Sequence, residues 1–132
     1  MVAGCHIKPE QFFNLIFGYN DRYAQQVSNL NASAGSNYLF GTTVPAGEIW
    51  VVGTMAASNV NTISSGISVG VYDGATYYTL TAKKSPAAAE WVPWSGIMVL
   101  KEGDRLFAWF GACAAGDDLF FNANGYKMKV AQ

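Results

Sequence analysis

The chain has 132 residues, of which 51% are hydrophobic, 14% aromatic and only 13% charged, and its formal net charge is −1. This length is most simply one domain, long enough to bury a hydrophobic core. Soluble domains usually contain about 25% charged residues, so the composition predicts an all-β protein with much of its surface removed from water. The near-neutral charge argues against nucleic acid or anionic lipid as a direct partner.

Residues 1–22 differ in composition from the rest and are predicted to form an N-terminal arm or short helix. Pro9 and Glu10 suit the first turn of a helix, and Gly18 ends it. This segment has too many large apolar side chains for a solvated helix of two turns: Phe12, Phe13, Leu15, Ile16 and Phe17. Two interpretations follow, a terminal segment packed on the domain's own core or an arm that docks on a partner.

The same segment does not resemble a targeting sequence. Lys8, Pro9 and Glu10 interrupt any apolar core of a signal peptide, and no stretch in the chain approaches the roughly 18 apolar residues of a membrane helix. Cys5 and Cys113 lie far apart in the sequence and could pair only if the arm folds back on the domain. Synthesis in the cytosol with two free thiols, and no membrane partner, is therefore the simpler interpretation.

From residue 23 to 132 the sequence predicts a single β domain. Short runs of β-forming residues alternate with segments rich in Gly, Pro, Asn and Asp, and Asp73-Gly74 is the strongest hairpin signal. The candidate strands are 22–29, 37–43, 47–58, 65–72, 76–82, 90–100, 104–112 and 118–130. This pattern, without a helical period, predicts a single-domain jelly roll or β-sandwich of about eight antiparallel strands.

The strand at 47–58 is apolar on both faces. Strict alternation places Ile49, Val51, Gly53, Met55 and Ala57 on one face and Trp50, Val52, Thr54 and Ala56 on the other. A strand of this kind needs cover on both sides. The second face therefore predicts either a second layer of the domain or another subunit.

Alternation also predicts which residues of the other strands face the core. The expected inward residues are Ile67, Val69, Val71, Leu106, Ala108, Phe110, Leu119 and Phe121. In the last strand, 126–130, apolar residues alternate with lysine. Its apolar side is expected to face the core, and its lysines to face water or a polar interface.

The sequence contains no convincing catalytic or metal-binding set. His6 is the only histidine, and with Cys5 it supplies too few ligands for zinc and no orienting third group for nucleophilic catalysis. Glu102 and Asp104, like Asp117 and Asp118, occur in turn sequences, where carboxylates cap loops. No Asp-x-Asp-x-Asp spacing supports a calcium site. We predict no enzyme activity, no cofactor and no metal.

Trp91 and Trp94 are the strongest candidates for a binding role. They flank Val92-Pro93, and a proline within a strand marks an edge or a bulge. Three interpretations stay open: packing in the core, a subunit contact, in which tryptophan is often a hot spot, or stacking on a sugar ring.

Four segments together resemble small structural proteins of tailed-phage virions: 44–52 (VPAGEIWVV), 90–100 (EWVPWSGIMVL), 101–106 (KEGDRL) and 125–130 (GYKMKV). The resemblance is one of strand-and-turn rhythm over roughly residues 23–132. Such proteins include the jelly-roll decoration (cement) proteins of capsids and related domains of tail fibres and receptor-binding proteins. Residues 7–17 have no counterpart in this pattern.

The resemblance implies a capsid decoration protein that binds the assembled phage head as a homotrimer and stabilises the shell. The protein would be made in the host cytoplasm and located on the capsid surface, with the major capsid protein as its partner. The expected partner-interface residues are Phe12, Phe13, Ile16, Phe17, Trp50, Trp91 and Trp94. The alternatives are a tail-tip or fibre receptor-binding domain and a carbohydrate-binding module.

Overall fold

A computed structural model describes residues 21–130, and this part of the chain is built from eight β-strands without a helix. Each predicted strand is confirmed. The strands are β1 Asp21–Asn29, β2 Gly35–Phe40, β3 Glu48–Asn59, β4 Gly66–Tyr72, β5 Tyr77–Lys84, β6 Val92–Leu100, β7 Arg105–Cys113 and β8 Leu119–Lys129. Within this range no helix is present that could cross a membrane.

The strands form two four-stranded antiparallel sheets. The first sheet has the order β1-β8-β3-β6 and the second has the order β2-β7-β4-β5. Only β4 and β5 are sequence neighbours within one sheet, so every other connection passes from one sheet to the other. The structure thus confirms an all-β sandwich. The pairing of β1 with β8, β2 with β7, β3 with β6 and β4 with β5 is compatible with a jelly-roll connectivity.

The core lies between the two sheets and is lined by the residues that alternation predicted. The eight inward residues expected from β4, β7 and β8 are all buried. The largest fully buried side chains include Phe107, Phe110, Phe121 and Met55. Of these four side chains, Phe107 alone lies outside the central cluster, because it is buried on the outer side of the second sheet.

The prediction for the two faces of β3 is wrong beyond Val52. The register shifts between Val52 and Thr54: Gly53 is an extra residue of β3 opposite β8, whereas opposite β6 the extra residue lies in β6, between Ser95 and Met98. Trp50 and Val52 consequently share the core with Met55 and Ala57, which strict alternation had placed on the other face. Val51 lies on the outer face instead.

The orientation of the last strand also differs from the prediction. Leu119, Phe121 and Ala123 of β8 face the core, so Lys127 continues this inward face at the end of the sandwich, where its Nζ lies 4.6 Å from the centre of the Trp50 ring. The apolar residues Tyr126 and Met128 are half-buried on the outer face. A cation–π contact at the open end accommodates the lysine.

The predicted arm lies almost wholly outside the described residues. Phe12, Phe13, Ile16 and Phe17, together with Cys5 and His6, fall in residues 1–20. Their proposed roles, and the division at residue 22, stay predictions. Cys113 is a free, buried thiol.

Candidate functional site

The outer face of the first sheet carries an apolar patch, defined here as Val51, Ile97, Val99, Tyr126 and Met128. Val51 of β3 pairs with Val99 of β6 on one side and with Tyr126 of β8 on the other. These neighbours leave Val51 only 6% exposed, whereas Val99 is 57% and Ile97 81% exposed. The sheet itself therefore covers part of the outer face of β3, and its edge strand β6 presents aliphatic side chains to solvent.

The outer face of the second sheet carries an aromatic patch, defined as Tyr38, Phe40, Tyr72, Tyr77 and Phe107. The rings come from all four strands of this sheet. Tyr72 and Tyr77 are register partners with ring centres 4.4 Å apart, and the Tyr38 and Phe40 rings are stacked at 5.7 Å with an interplanar angle of 8°. Tyr38 is 46% and Tyr77 43% exposed.

Phe107 forms the floor of this patch. It is 2% exposed, and the edge of the Tyr77 ring meets it at 5.1 Å and 87°. Phe107 pairs with Gly70 of β4, which has no side chain. A Cβ atom on Gly70 would also overlap the carbonyl oxygen of Tyr78, so no larger residue fits there. The rings are thus held in place before any ligand arrives.

Arg105 lies across the same rings. Its guanidinium carbon is 4.1 Å from the centre of the Phe40 ring and 5.2 Å from that of Tyr72. Among the described residues no carboxylate forms an ion pair with it, the one such pair being Lys83–Glu90. Desolvation among the rings, helped by Tyr72, raises the pKa of Tyr77, and Arg105 opposes that shift.

The structure separates the three tryptophans that the sequence predicted at an interface. Trp50 is 3% exposed, packs on Tyr23 with ring centres 5.0 Å apart and donates from Nε1 to Glu48 at 3.0 Å. It belongs to the core, which corrects its assignment to a contact surface. Trp94 is half-buried against the core, whereas Trp91 is 42% exposed.

Trp91 and Trp94 do not form a common platform. Val92 lies between them in the sequence and is buried in the core, and Trp94 packs against the same core. By alternation Trp91 therefore faces away from the core. Stacking of one sugar chain on both rings is not supported, and a subunit contact through Trp91 stays a prediction.

Asp117 organises the loops at one end of the sandwich. Its Oδ2 accepts hydrogen bonds from Asn59 Nδ2 at 2.9 Å, Thr62 Oγ1 at 2.6 Å and the Ala114 amide at 2.8 Å. Burial alone would raise the pKa of Asp117, but the hydrogen bonds from Thr62, Asn59 and Ala114 hold it below its usual value. The carboxylate is saturated by protein donors, as expected of a loop cap.

An open groove of about 350 Å³ lies beside Trp50. Its polar side chains satisfy one another, because Tyr23 Oη donates to Gln25 Oε1 at 2.7 Å and Gln25 Nε2 donates to Thr42 Oγ1 at 2.9 Å. Burial raises the pKa of Tyr23 to about 12, so this hydroxyl keeps its proton. The groove has the character of a structural network.

Among residues 21–130 no three His, Cys, Asp or Glu side chains come close enough to hold a metal ion. The two outer faces carry the apolar and aromatic patches, and each patch includes exposed side chains. Sequence reasoning missed the aromatic patch. The signal that was available is the hairpin Tyr72-Asp73-Gly74, which sets Tyr72 opposite Tyr77.

Comparison with known proteins assigns no family. No family model and no curated protein matches the chain. Among solved structures, a Bacillus endospore appendage protein, described as belonging to a novel family of disulfide-linked pili, aligns with a TM-score of 0.42 and 13% identity, covering 85% of this chain and 92% of that chain. This similarity is too low to assign a shared fold or function.

Proposed function

We propose that the protein is a structural subunit of a phage virion, a capsid decoration protein that binds the assembled head as a homotrimer and stabilises the shell. The virion setting rests on the resemblance of the strand-and-turn pattern. The observation that carries a role in assembly is the exposed apolar patch on the first sheet, where Ile97 is 81% and Val99 57% exposed.

An aliphatic strip of this kind suits burial against protein. Val99 lies directly opposite Val51 on the edge strand β6, and Ile97 lies two residues away on the same strand. A contiguous exposed apolar patch is a common mark of an interaction surface. The chain has 13% charged residues, and interface centres are depleted of charge. We therefore place the contact between subunits, or between subunit and shell, on this patch.

The proposed mechanism is thermodynamic. A ligand that binds the assembled lattice and not its dissociated subunits stabilises the lattice by mass action. A trimer that contacts several capsid subunits at once multiplies weak contacts through avidity.

The test uses the full chain and heads that lack decoration protein. Val99→Lys places a charge on the apolar patch, and Gln26→Lys, on the exposed outer side of β1, is the matched control. We expect the wild type and the Gln26→Lys variant to be trimeric by light scattering and to sediment with heads. Val99→Lys should keep the circular dichroism spectrum of the folded sandwich but lose trimer and head binding.

Two results would overturn the proposal. One is a wild-type protein that stays monomeric at high micromolar concentration and does not bind heads. The other is a Val99→Lys variant with normal trimer and normal head occupancy. Mass spectrometry of separated heads and tails distinguishes the decoration role from the alternative of a tail-tip or fibre domain.

A further inference from the structure

We propose that the aromatic patch of the second sheet is a binding site for a polysaccharide that contains uronic acid. This inference is independent of the proposed role of the first sheet. The site combines exposed tyrosine rings with an arginine that has no acidic partner in the described part of the chain.

The first argument is the form of the surface. Sugar rings have a C–H face that packs on aromatic rings and a rim of hydroxyls that form hydrogen bonds. Tyr38 and Tyr77 present partly exposed rings with hydroxyl groups, 5.2 Å apart between ring centres. Several rings side by side suit a chain of linked sugars better than a single terminal sugar.

The second argument is charge. Arg105 packs on Phe40 and Tyr72, and a guanidinium held in this way can still donate two parallel hydrogen bonds to a carboxylate. Asp73, the acid of the adjacent hairpin, uses Oδ1 to accept from the amides of Ala75 and Thr76 at 2.9 and 2.7 Å. A uronic acid carries its carboxylate on the sugar ring itself. A single sugar unit could therefore stack on a tyrosine ring and contact Arg105 through its carboxylate at the same time.

The third argument is order. Phe107 is 2% exposed beneath the rings, and the Tyr77 ring contacts both the Tyr72 ring and the Tyr38 ring. A ligand would therefore meet side chains already in place, which lowers the entropic cost of binding. The apolar patch on the other sheet exposes mainly the aliphatic side chains Ile97 and Val99, has no charged group among its members, and fits a protein surface.

The experiment measures binding of the full chain to immobilised hexamers of galacturonate and mannuronate and to an alternating glucuronate oligosaccharide. The methyl esters of the same uronates, which lack the charge, are probed beside them. Immobilised ligands let weak contacts act together. We expect the wild type to prefer the acids over the esters.

Three variants assign the effect to the patch. Tyr77→Ala should weaken binding by about tenfold, the scale of one aromatic stacking contact. Arg105→Gln should remove the preference for acid over ester. The control is Tyr78→Ala, since Tyr78 is the next residue and 52% exposed but pairs with Val71, on the other face of the strand.

The proposal is overturned if the wild type binds none of the uronates, or if Tyr78→Ala loses as much binding as Tyr77→Ala at an unchanged melting temperature. Two further measurements ask whether the patch serves another partner: the oligomeric state of the protein and its binding to single-stranded DNA. The proposal is overturned if Tyr77→Ala leaves uronate binding unchanged but dissociates an oligomer of the protein or abolishes binding to single-stranded DNA. Val99→Lys, which tests the first sheet, should keep the wild-type preference for acid over ester, even where loss of the trimer weakens binding to immobilised ligand.

Discussion

At the scale of single residues, Asp117 shows how one carboxylate can order several loops. It is 3% exposed, and its donors are Asn59 at the end of β3, Thr62 in the segment after β3 and Ala114 in the turn after β7. Its backbone oxygen also accepts from the amide of Ala32, in the loop after β1, at 3.0 Å. An aspartate in this setting is worth more to stability than the exposed acids of the other turns.

Replacing Asp117 by asparagine should lower the free energy of unfolding by about 2 kcal/mol, because hydrogen bonds to a charged group are lost. Asp118→Asn is the matched control, since the hydrogen bonds seen for Asp118 are made by its backbone. Urea denaturation at pH 7 checks both. Equal losses in the two variants would contradict the role given to the Asp117 side chain.

The same residue predicts a pH dependence. The pKa of Asp117 is lowered in the folded state, so the unfolded chain binds more protons in acid. Its contribution is fully present above the ordinary aspartate value, about 3.9, and is lost as pH falls through the lower folded value. The Asp117→Asn variant should lose less stability than the wild type in that acid range.

At the scale of elements, the bulge in β3 is made possible by two glycines with different tasks. Gly53 is the extra residue relative to β8, and a Cβ atom added to it would make only ordinary contacts, whereas Gly125 of β8 lies opposite Val52. A Cβ atom on Gly125 would overlap the carbonyl oxygen of Val51. The close approach of β8 to β3 therefore requires a glycine at 125 but not at 53.

Gly125→Ala should cost about 3 kcal/mol, since backbone of the central strands must move to admit one methyl group. Gly53→Ala should be neutral or stabilising by up to about 1 kcal/mol, because the nearest atoms lie 3.8 and 3.9 Å from the added carbon. Thermal unfolding of the pair measures both effects. A Gly125→Ala protein as stable as the wild type would show that the strands separate easily.

At the scale of the whole molecule, the described residues contain a complete two-sheet core. The buried cluster draws on every strand except β5, whose Leu80 packs against it. The docking role that the apolar residues of the arm suggest stays a prediction.

Deleting residues 1–18 should leave the sandwich folded, with a change of less than about 1 kcal/mol, or roughly 4 °C in melting temperature. Binding to heads should weaken, because Phe12, Phe13, Ile16 and Phe17 are removed as anchors. Calorimetry and co-sedimentation with heads measure the two effects. Normal head occupancy would exclude the arm as an anchor, and failure to fold would place it in the core.

The sequence predicted the strands well because their signals are local. Alternation and turn residues locate β4 and β5 around Asp73-Gly74, and the Asp73 side chain indeed caps that turn. The facing of β3 was wrong because a bulge changes the period by one residue without changing the composition. Gly53 by itself does not predict the bulge.

The aromatic patch was missed for a different physical reason. Tyr38, Tyr77 and Phe107 belong to different strands and are brought together only by strand order. Alternation places each of them on an outer face but does not say which strands are neighbours. Trp50 was wrongly predicted at an interface because β3 is apolar on both faces. Its sequence alone does not indicate which of the two faces lies in the core.

The pairing of the first strand with the last has a consequence for how the chain folds. Asp21 pairs with Lys127, and β8 lies between β1 and β3 in the first sheet. Contacts so distant in sequence make folding slow, in the range of roughly milliseconds to seconds for all-β domains. During synthesis the first sheet cannot form completely until β8 has left the ribosome. Until then, the edges of β1 and β3 that pair with β8 stay unpaired. Nascent chains halted before Leu119 should therefore be the species most open to proteases and chaperones.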